Sequence, residues 1–99
     1  MYQTIRCENQ DGIAIVTIDR PEALNALNST VITELEQVVA ALESDRDVRC
    51  LILTGEGRSF VAGADIGEQY PLDLDGGRRW GQRGSALMRR IEKLEFPTI

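Results

Sequence analysis

Histidine is absent from this 99-residue sequence. Imidazole is the base of Ser-His and Cys-His dyads and a common zinc ligand, so those sites are excluded, and we predict no metal site. Cysteine is scarce, because only Cys7 and Cys50 occur, each beside or within an apolar stretch, and no signal peptide opens the sequence. We therefore expect two buried free thiols rather than a disulfide, in a cytoplasmic protein of the kind found in the bacterial cytosol.

Clustered basic residues and long apolar runs are also missing. The net charge at pH 7 is −5, and the eleven basic residues are scattered among acidic ones. Nucleic-acid binding requires a basic face, so no nucleic-acid partner is expected. No run approaches the ~20 apolar residues that a membrane span needs. The 42% of hydrophobic and 27% of charged residues are those of a globular protein, with room for one domain.

The most informative stretch combines a strand with glycines. Leu51–Leu53 is a short apolar run without helical spacing, which predicts a buried strand. Gly55 and Gly57 end it with a turn. Gly63 would let the backbone come close to another group, and a helix is predicted to begin over residues 64–69. A strand, a glycine turn and a helix start are how α/β proteins present backbone N–H groups to a ligand.

Two better-known glycine loops do not fit this stretch. The dinucleotide-binding loop needs a third glycine, and Phe60 stands at that position. The phosphate-binding loop needs a lysine after its last glycine, and the first lysine of the chain is Lys93.

The N-terminal part predicts an antiparallel hairpin. Its strands run from Met1 to Glu8 and from Ile13 to Asp19, and residues 9–12 form the turn, since Asp-Gly is a strong turn signal. The second strand is apolar on both faces and should be the more buried. Another strand is predicted to start at Phe96, because Pro97 favours extended geometry in the preceding residue.

Two helices are predicted. The first is capped by Asn28 or Ser29 and extends to about Glu43, with one apolar face formed by Val31, Leu35, Val38, Val39 and Leu42. Its glutamates are expected on a solvated face. The second helix is predicted from Arg78 to Lys93, after a flexible connection at residues 72–77. Its apolar face is formed by Trp80, Leu87, Ile91 and Leu94, with Met88 beside them.

Two blocks of sequence carry a resemblance to a known family. The first is Arg20-Pro21-Glu22-Ala23-Leu24-Asn25-Ala26-Leu27, and the second is Gly55-Glu56-Gly57-Arg58-Ser59-Phe60 followed by Ala62-Gly63-Ala64-Asp65-Ile66. In this order and spacing they resemble the crotonase superfamily, the enoyl-CoA hydratases and isomerases. The resemblance runs from about residue 13 to residue 99. It implies an α/β fold, namely an incomplete crotonase-like spiral of ββα units. Residues 1–99 would be the N-terminal part of that domain, without the rest of it.

The resemblance also implies a site. The backbone N–H of Ala64 would be one donor of an oxyanion hole for the thioester oxygen. The substrate is expected to contact Ala23, Leu24, Ala26, Ala62, Gly63, Asp65 and Ile66, with the last two beside its adenine end. Arg58 is either a phosphate-binding cation or a solvated surface arginine. Coenzyme A would be part of the substrate, and no prosthetic group is implied.

The function implied is chemistry on an acyl-CoA thioester, with hydration of a 2-enoyl-CoA in fatty-acid or related metabolism as the default reaction. A homo-oligomer is expected, since the family forms trimers or hexamers. The alternatives are a non-catalytic acyl-CoA-binding or assembly module, and an inert folding fragment. The isolated 99 residues are expected to be inactive, because the family's second oxyanion donor and its general acid and base come later in the chain.

Overall fold

Three strands form one sheet in the order β1-β2-β3. β1 is Ile5–Gln10, β2 is Ile13–Ile18 and β3 is Cys50–Gly55. β1 pairs antiparallel with β2, and β3 lies parallel to β2 on its other side. This computed structural model describes residues 2–65 and 72–99. The predicted hairpin and the predicted strand at Leu51–Leu53 are both confirmed.

The hairpin turn is tighter than predicted. Only Asp11 and Gly12 form it, with φ angles of 53° and 83°. A two-residue hairpin turn with positive φ at both positions matches the twist of the strands, so β1 continues up to the first residue of the turn. Asn9 and Gln10, predicted in the turn, are therefore strand residues paired with β2.

β2 is the more buried strand, as predicted, and β1 lies at the edge. Of the β1 residues only Ile5 is buried. Cys7 is consequently exposed, and its predicted burial is wrong, whereas Cys50 is half-buried. Both thiols are free. An edge strand covers the core with one of its faces at most, which local apolar composition does not reveal.

Helix α1 spans Ser29–Glu43 and lies on the sheet core. Asn28 is its N-cap, and the side-chain oxygen accepts a hydrogen bond of 2.9 Å from the Val31 N–H. The predicted apolar face is confirmed, since all five of its residues are buried and Ile32 joins them.

Helix α2 spans Leu74–Glu92 and begins earlier than predicted. Asp73 caps it by accepting a hydrogen bond of 2.7 Å from the Gly76 N–H. The prediction of a flexible connection at residues 72–77 is therefore wrong. Gly76 and Gly77 weaken a helix, but the Asp73 cap satisfies one of the N–H groups at the helix start and so stabilises it there. Leu87 and Ile91 reach the core, whereas Trp80 is half-buried and Met88 is exposed.

Two ion pairs join the helices, which corrects the expectation of a solvated acidic face. Arg83 binds Glu36 through Nε at 3.1 Å and Nη2 at 2.7 Å, and Arg90 binds Glu43 with the same two distances. The pairs lie about two helical turns apart in the same order, so the helices run parallel. The hydrogen bond from Arg83 is the main cause of the lowered pKa of Glu36.

Glu34 is buried and ties the N-terminal segment to α1. Its carboxylate accepts hydrogen bonds from the N–H groups of Gln3, at 2.6 Å, and Thr4, at 2.8 Å, and from the Thr4 hydroxyl. Burial raises the pKa of Glu34, but these hydrogen bonds outweigh it, so the pKa lies below its ordinary value.

The last residues begin another strand beside β3, as predicted. Thr98 forms a parallel bridge with Leu51. The Leu51 N–H donates to the Pro97 carbonyl at 2.9 Å, and the Ile99 N–H donates to the Leu51 carbonyl at 2.8 Å. Within residues 2–65 and 72–99, no helix is long and apolar enough to cross a membrane.

The Glu34 contacts predict a pH-dependent contribution to stability. Glu34→Gln should lower the free energy of unfolding at pH 7 by about 2 kcal/mol, because charged acceptors form the stronger hydrogen bonds. A depressed folded-state pKa stabilises the fold above the unfolded value of about 4.3 and ceases to do so as pH falls through the folded value. Denaturant titrations at pH 7 and pH 2.5 should therefore show the deficit shrinking in acid. Glu43→Gln, at an exposed ion pair, is the control with a much smaller effect; an equal Glu34 deficit at both pH values would contradict the assignment.

Candidate functional site

Two loops from distant parts of the chain lie side by side. The first loop is residues 20–27, and the second loop is residues 60–65, which follow the turn after β3 at residues 56–59. The Ala62 N–H donates to the Leu24 carbonyl at 3.1 Å. The Leu27 N–H donates to the Gly63 carbonyl at 2.8 Å, and the Asp65 N–H donates to the Leu27 carbonyl at 2.8 Å. The two blocks singled out in the sequence therefore form one short backbone ladder.

Ala64 is the residue that bridges to Leu27 in this ladder. In a parallel bridge the partner bonds to the peptide groups on either side of the residue, so the Ala64 N–H points away from Leu27. None of the described residues accepts a hydrogen bond from that N–H. The predicted helix does not begin at Ala64, which is in extended pairing. Ile66 and the rest of the predicted helix start lie outside the described residues.

Gly63 has a backbone conformation that other residues rarely adopt. Its φ angle is 134°, a region that favours glycine. A Cβ at this position would meet nothing within 4 Å, so the predicted close approach is not made to any described residue. Ala62 and Gly63 are both exposed, so this part of the backbone is accessible.

Asn25 connects the first loop to the turn after β3. Its side chain is completely buried. Oδ1 accepts a hydrogen bond of 2.7 Å from the Arg20 N–H, while Nδ2 donates to the carbonyls of Glu56 at 2.8 Å and Ser59 at 2.7 Å. Sequence reasoning assigned this residue no role. The available signal was its residue type, since Asn tolerates the positive φ of 59° that it adopts here.

Arg20 joins the two loops with its guanidinium group. Nη1 donates to the Ala26 carbonyl at 2.7 Å, and Nη2 lies 3.0 Å from Oδ2 of Asp65. The Arg20 side chain is 17% exposed and that of Asp65 is 22% exposed, so the pair is largely shielded from water. Sequence reasoning missed this role of Arg20, and it gave the Asp65 carboxylate no protein partner.

The remaining predicted contacts lie on the first loop. Ala23 ends a short 3-10 helix, Pro21–Ala23, and is half-buried, as is Ala26. Leu24 is 38% exposed and adopts a φ angle of 52°. Leu27 packs against the core. The structure thus places Ala23, Leu24 and Ala26 on the segment that pairs with the second loop.

Comparison with known proteins decides the family. The sequence profile described as enoyl-CoA hydratase/isomerase matches residues 8–99. The chain belongs to this family.

Characterised relatives agree. The chain is 47% identical over 93 residues to the short-chain-enoyl-CoA hydratase of Clostridium acetobutylicum, covering 93% of this chain and 36% of that protein. It is 40% identical over 99 residues to the crotonyl-CoA hydratase of Syntrophomonas wolfei, covering 99% of this chain and 38% of that protein. The chain spans less than two fifths of the length of these relatives.

Solved structures confirm the predicted fold class. An enoyl-CoA hydratase/isomerase from Xanthobacter autotrophicus Py2 superimposes with a TM-score of 0.91 at 30% identity, over 99% of this chain and 38% of that one. An enoyl-CoA hydratase from Bacillus anthracis gives a TM-score of 0.93 at 24% identity, over 97% and 38%. The crotonase-like α/β fold is therefore that of this chain too.

In this enoyl-CoA hydratase/isomerase chain, Arg58 lies in the turn after β3. Its side chain is exposed, and it forms no ion pair with a described residue. Its neighbour Glu56 is bound by Arg6 at 2.7 Å. Both interpretations of Arg58, a phosphate-binding cation and a solvated arginine, are compatible with this position.

A groove of about 460 Å³ adjoins the first loop. Leu27 and Ile32 line one side, and Trp80, Gly84 and Met88 of α2 line the other. A second cavity, of about 990 Å³, includes no residue of either loop. No cluster of three or more acidic or thiol side chains within residues 2–65 and 72–99 could hold a metal ion.

Gly55 gives a test of how tightly the two loops pack. A Cβ there would lie 2.5 Å from the Phe60 carbonyl oxygen and 2.7 Å from Nδ2 of Asn25. Gly55→Ala should therefore lower the free energy of unfolding by about 2 kcal/mol through overpacking. Gly81→Ala is the matched control, since nothing lies within 4 Å of its added Cβ, and a helical glycine replaced by alanine should stabilise the fold by roughly 1 kcal/mol. Thermal and denaturant unfolding measure both; equal effects of the two substitutions would contradict the close packing.

Proposed function

We propose that the whole protein acts on acyl-CoA thioesters and that the Ala64 N–H stabilises the negative charge that develops on the thioester oxygen. The observation that carries the proposal is the backbone ladder around Ala64. Gly63 and Asp65, the residues on either side of Ala64, are hydrogen-bonded to Leu27. The Ala64 N–H points away from Leu27 and has no partner among the described residues.

The chemistry explains why such a donor matters. Addition of water to the double bond of a 2-enoyl thioester moves charge onto the carbonyl oxygen, giving an enolate-like transition state. A fixed N–H directed at that oxygen costs no reorganisation during the reaction, and losing one such donor costs roughly 3–4 kcal/mol of transition-state stabilisation. A backbone N–H held between two paired peptide groups is such a fixed donor.

The surrounding residues suit a long, flat substrate. Ala62 and Gly63 are small and exposed, so a ligand can approach their backbone closely. Ala23, Leu24 and Ala26 lie on the first loop. We assign the contact with coenzyme A to these three residues and to Asp65 and Ile66. Arg58, which is exposed in the turn after β3, is the candidate cation for its phosphates. Coenzyme A is then part of the substrate.

The names of the relatives favour hydration as the reaction. The two relatives described above are hydratases of short-chain enoyl-CoA and crotonyl-CoA, although a third, of Escherichia coli, is a 1,2-epoxyphenylacetyl-CoA isomerase with 34% identity. We therefore assign the whole protein to hydration of a short 2-enoyl-CoA in fatty-acid or related acyl-CoA metabolism in the cytoplasm.

The role of Ala64 is tested by removing its N–H. Ala64→Pro should lower kcat of the whole protein on crotonyl-CoA about a hundredfold, with a small change in KM, because one oxyanion donor is lost. Since proline also restrains the preceding Gly63, a semisynthetic protein with lactate in place of Ala64 removes the N–H alone and should show the same loss. Ala64→Gly keeps the N–H and is the control. Full turnover by the lactate protein would remove Ala64 from the mechanism.

The reaction type is tested separately with a panel of substrates. Absorbance at the enoyl thioester band should fall on addition of crotonyl-CoA, and mass spectrometry should show a product heavier by one water. Free thiol, detected with a disulfide reagent, should not accumulate. Release of free coenzyme A without hydrated product would instead indicate thioester hydrolysis and overturn the assignment to hydration.

A further inference from the structure

We infer that Arg20 and Asn25 are positioning residues that hold the Ala64 N–H in its working direction. The inference rests on the proposed role of Ala64 and adds two side chains that never need to touch the reacting atoms. Both belong to the first loop, and both bond to groups of the second loop or of the turn that leads into it.

Arg20 acts on the two residues next to the Leu27–Ala64 bridge. Ala26 precedes Leu27 and Asp65 follows Ala64, and the guanidinium binds the carbonyl of the first and the carboxylate of the second. A planar guanidinium can direct two N–H groups to two separate acceptors at a fixed angle, which the point charge of lysine cannot do. The spacing of the two strands of the ladder is thereby set by one rigid group.

Asn25 acts from the other end of the same ladder. Its amide holds the carbonyls of Glu56 and Ser59, so the turn after β3 cannot move away from the first loop without breaking two buried hydrogen bonds. Its Oδ1 also binds the backbone N–H of Arg20. The two positioning residues are therefore coupled, because Asn25 fixes the backbone from which the Arg20 side chain extends.

Small displacements at this place have large kinetic consequences. An oxyanion donor works at about 2.7–3.1 Å from the charged oxygen, and a shift of about 1 Å can cost a hundredfold in rate. Loosening either side chain should thus lower kcat, while the binding of coenzyme A, spread over many contacts, changes little. A residue that only stabilised the fold would lower stability without this separation.

The variants to compare are Arg20→Lys and Asn25→Gly in the whole protein. Arg20→Lys keeps the charge and loses the two-acceptor geometry, and Asn25→Gly loses the amide while tolerating the positive φ. Arg83→Ala is the control, because it removes another arginine–carboxylate ion pair, the partly exposed one between the two helices. Each variant is measured for kcat and KM on crotonyl-CoA, for melting temperature, and for hydrogen exchange of the Ala62 and Asp65 amides, which donate to the first loop.

Both loop variants should lower kcat at least about tenfold with KM within about threefold, and should speed exchange of the two amides at least about tenfold. Arg83→Ala should lower the melting temperature and leave kcat and those amides unchanged. The inference is overturned if exchange stays slow in both loop variants, or if it speeds up while kcat is unaffected. Full activity of the protein with lactate in place of Ala64 would instead contradict the proposed function itself. If that protein is inactive while the Arg20 and Asn25 variants are fully active, only this inference is contradicted.

Discussion

The parallel pairing of Leu27 with the peptide groups around Ala64 is the constraint on which the candidate site depends. Backbone groups that are buried away from water are nearly always hydrogen-bonded, because an unsatisfied one costs free energy. Leu27 satisfies the Gly63 carbonyl and the Asp65 N–H, and by doing so turns the Ala64 N–H to the opposite side. Ordinary backbone pairing thus leaves the candidate site with a donor that has no partner among the described residues.

That pairing is stable because both of its strands are anchored. Leu27 packs against the core and leads directly into α1, whose first turn is capped by Asn28. The turn that leads into the second loop begins after Gly55. A side chain at Gly55 would have no room beside Asn25 and the Phe60 carbonyl. The position of one N–H group is therefore inherited from the sheet and from α1.

Acidic side chains hold the rest of the structure together in different ways. Glu34 is buried and fastens the N-terminal segment, whereas Glu36 and Glu43 receive arginines from α2. Helix α2 itself places Leu87 and Ile91 in the core, and the two partly exposed ion pairs add a smaller contribution to its packing on α1. Family membership and geometry support different parts of the proposal: the names of the relatives support the proposed class of reaction, and the ladder supports the proposed part of the Ala64 N–H.

The sequence by itself determined the elements whose signals are local. The apolar face of α1, the double-sided burial of β2 and the turn after β3 follow from spacing and residue type, because each depends on neighbours along the chain. The two loop blocks were identified by their resemblance to a known family. The tertiary structure decided which groups meet. The same glutamate spacing serves a solvated face or a set of buried and paired carboxylates, and Asn25 and Arg20 have no local pattern that identifies their partners. Those partners lie more than thirty residues away for the Asn25 amide, and only the folded sheet brings them within hydrogen-bond distance.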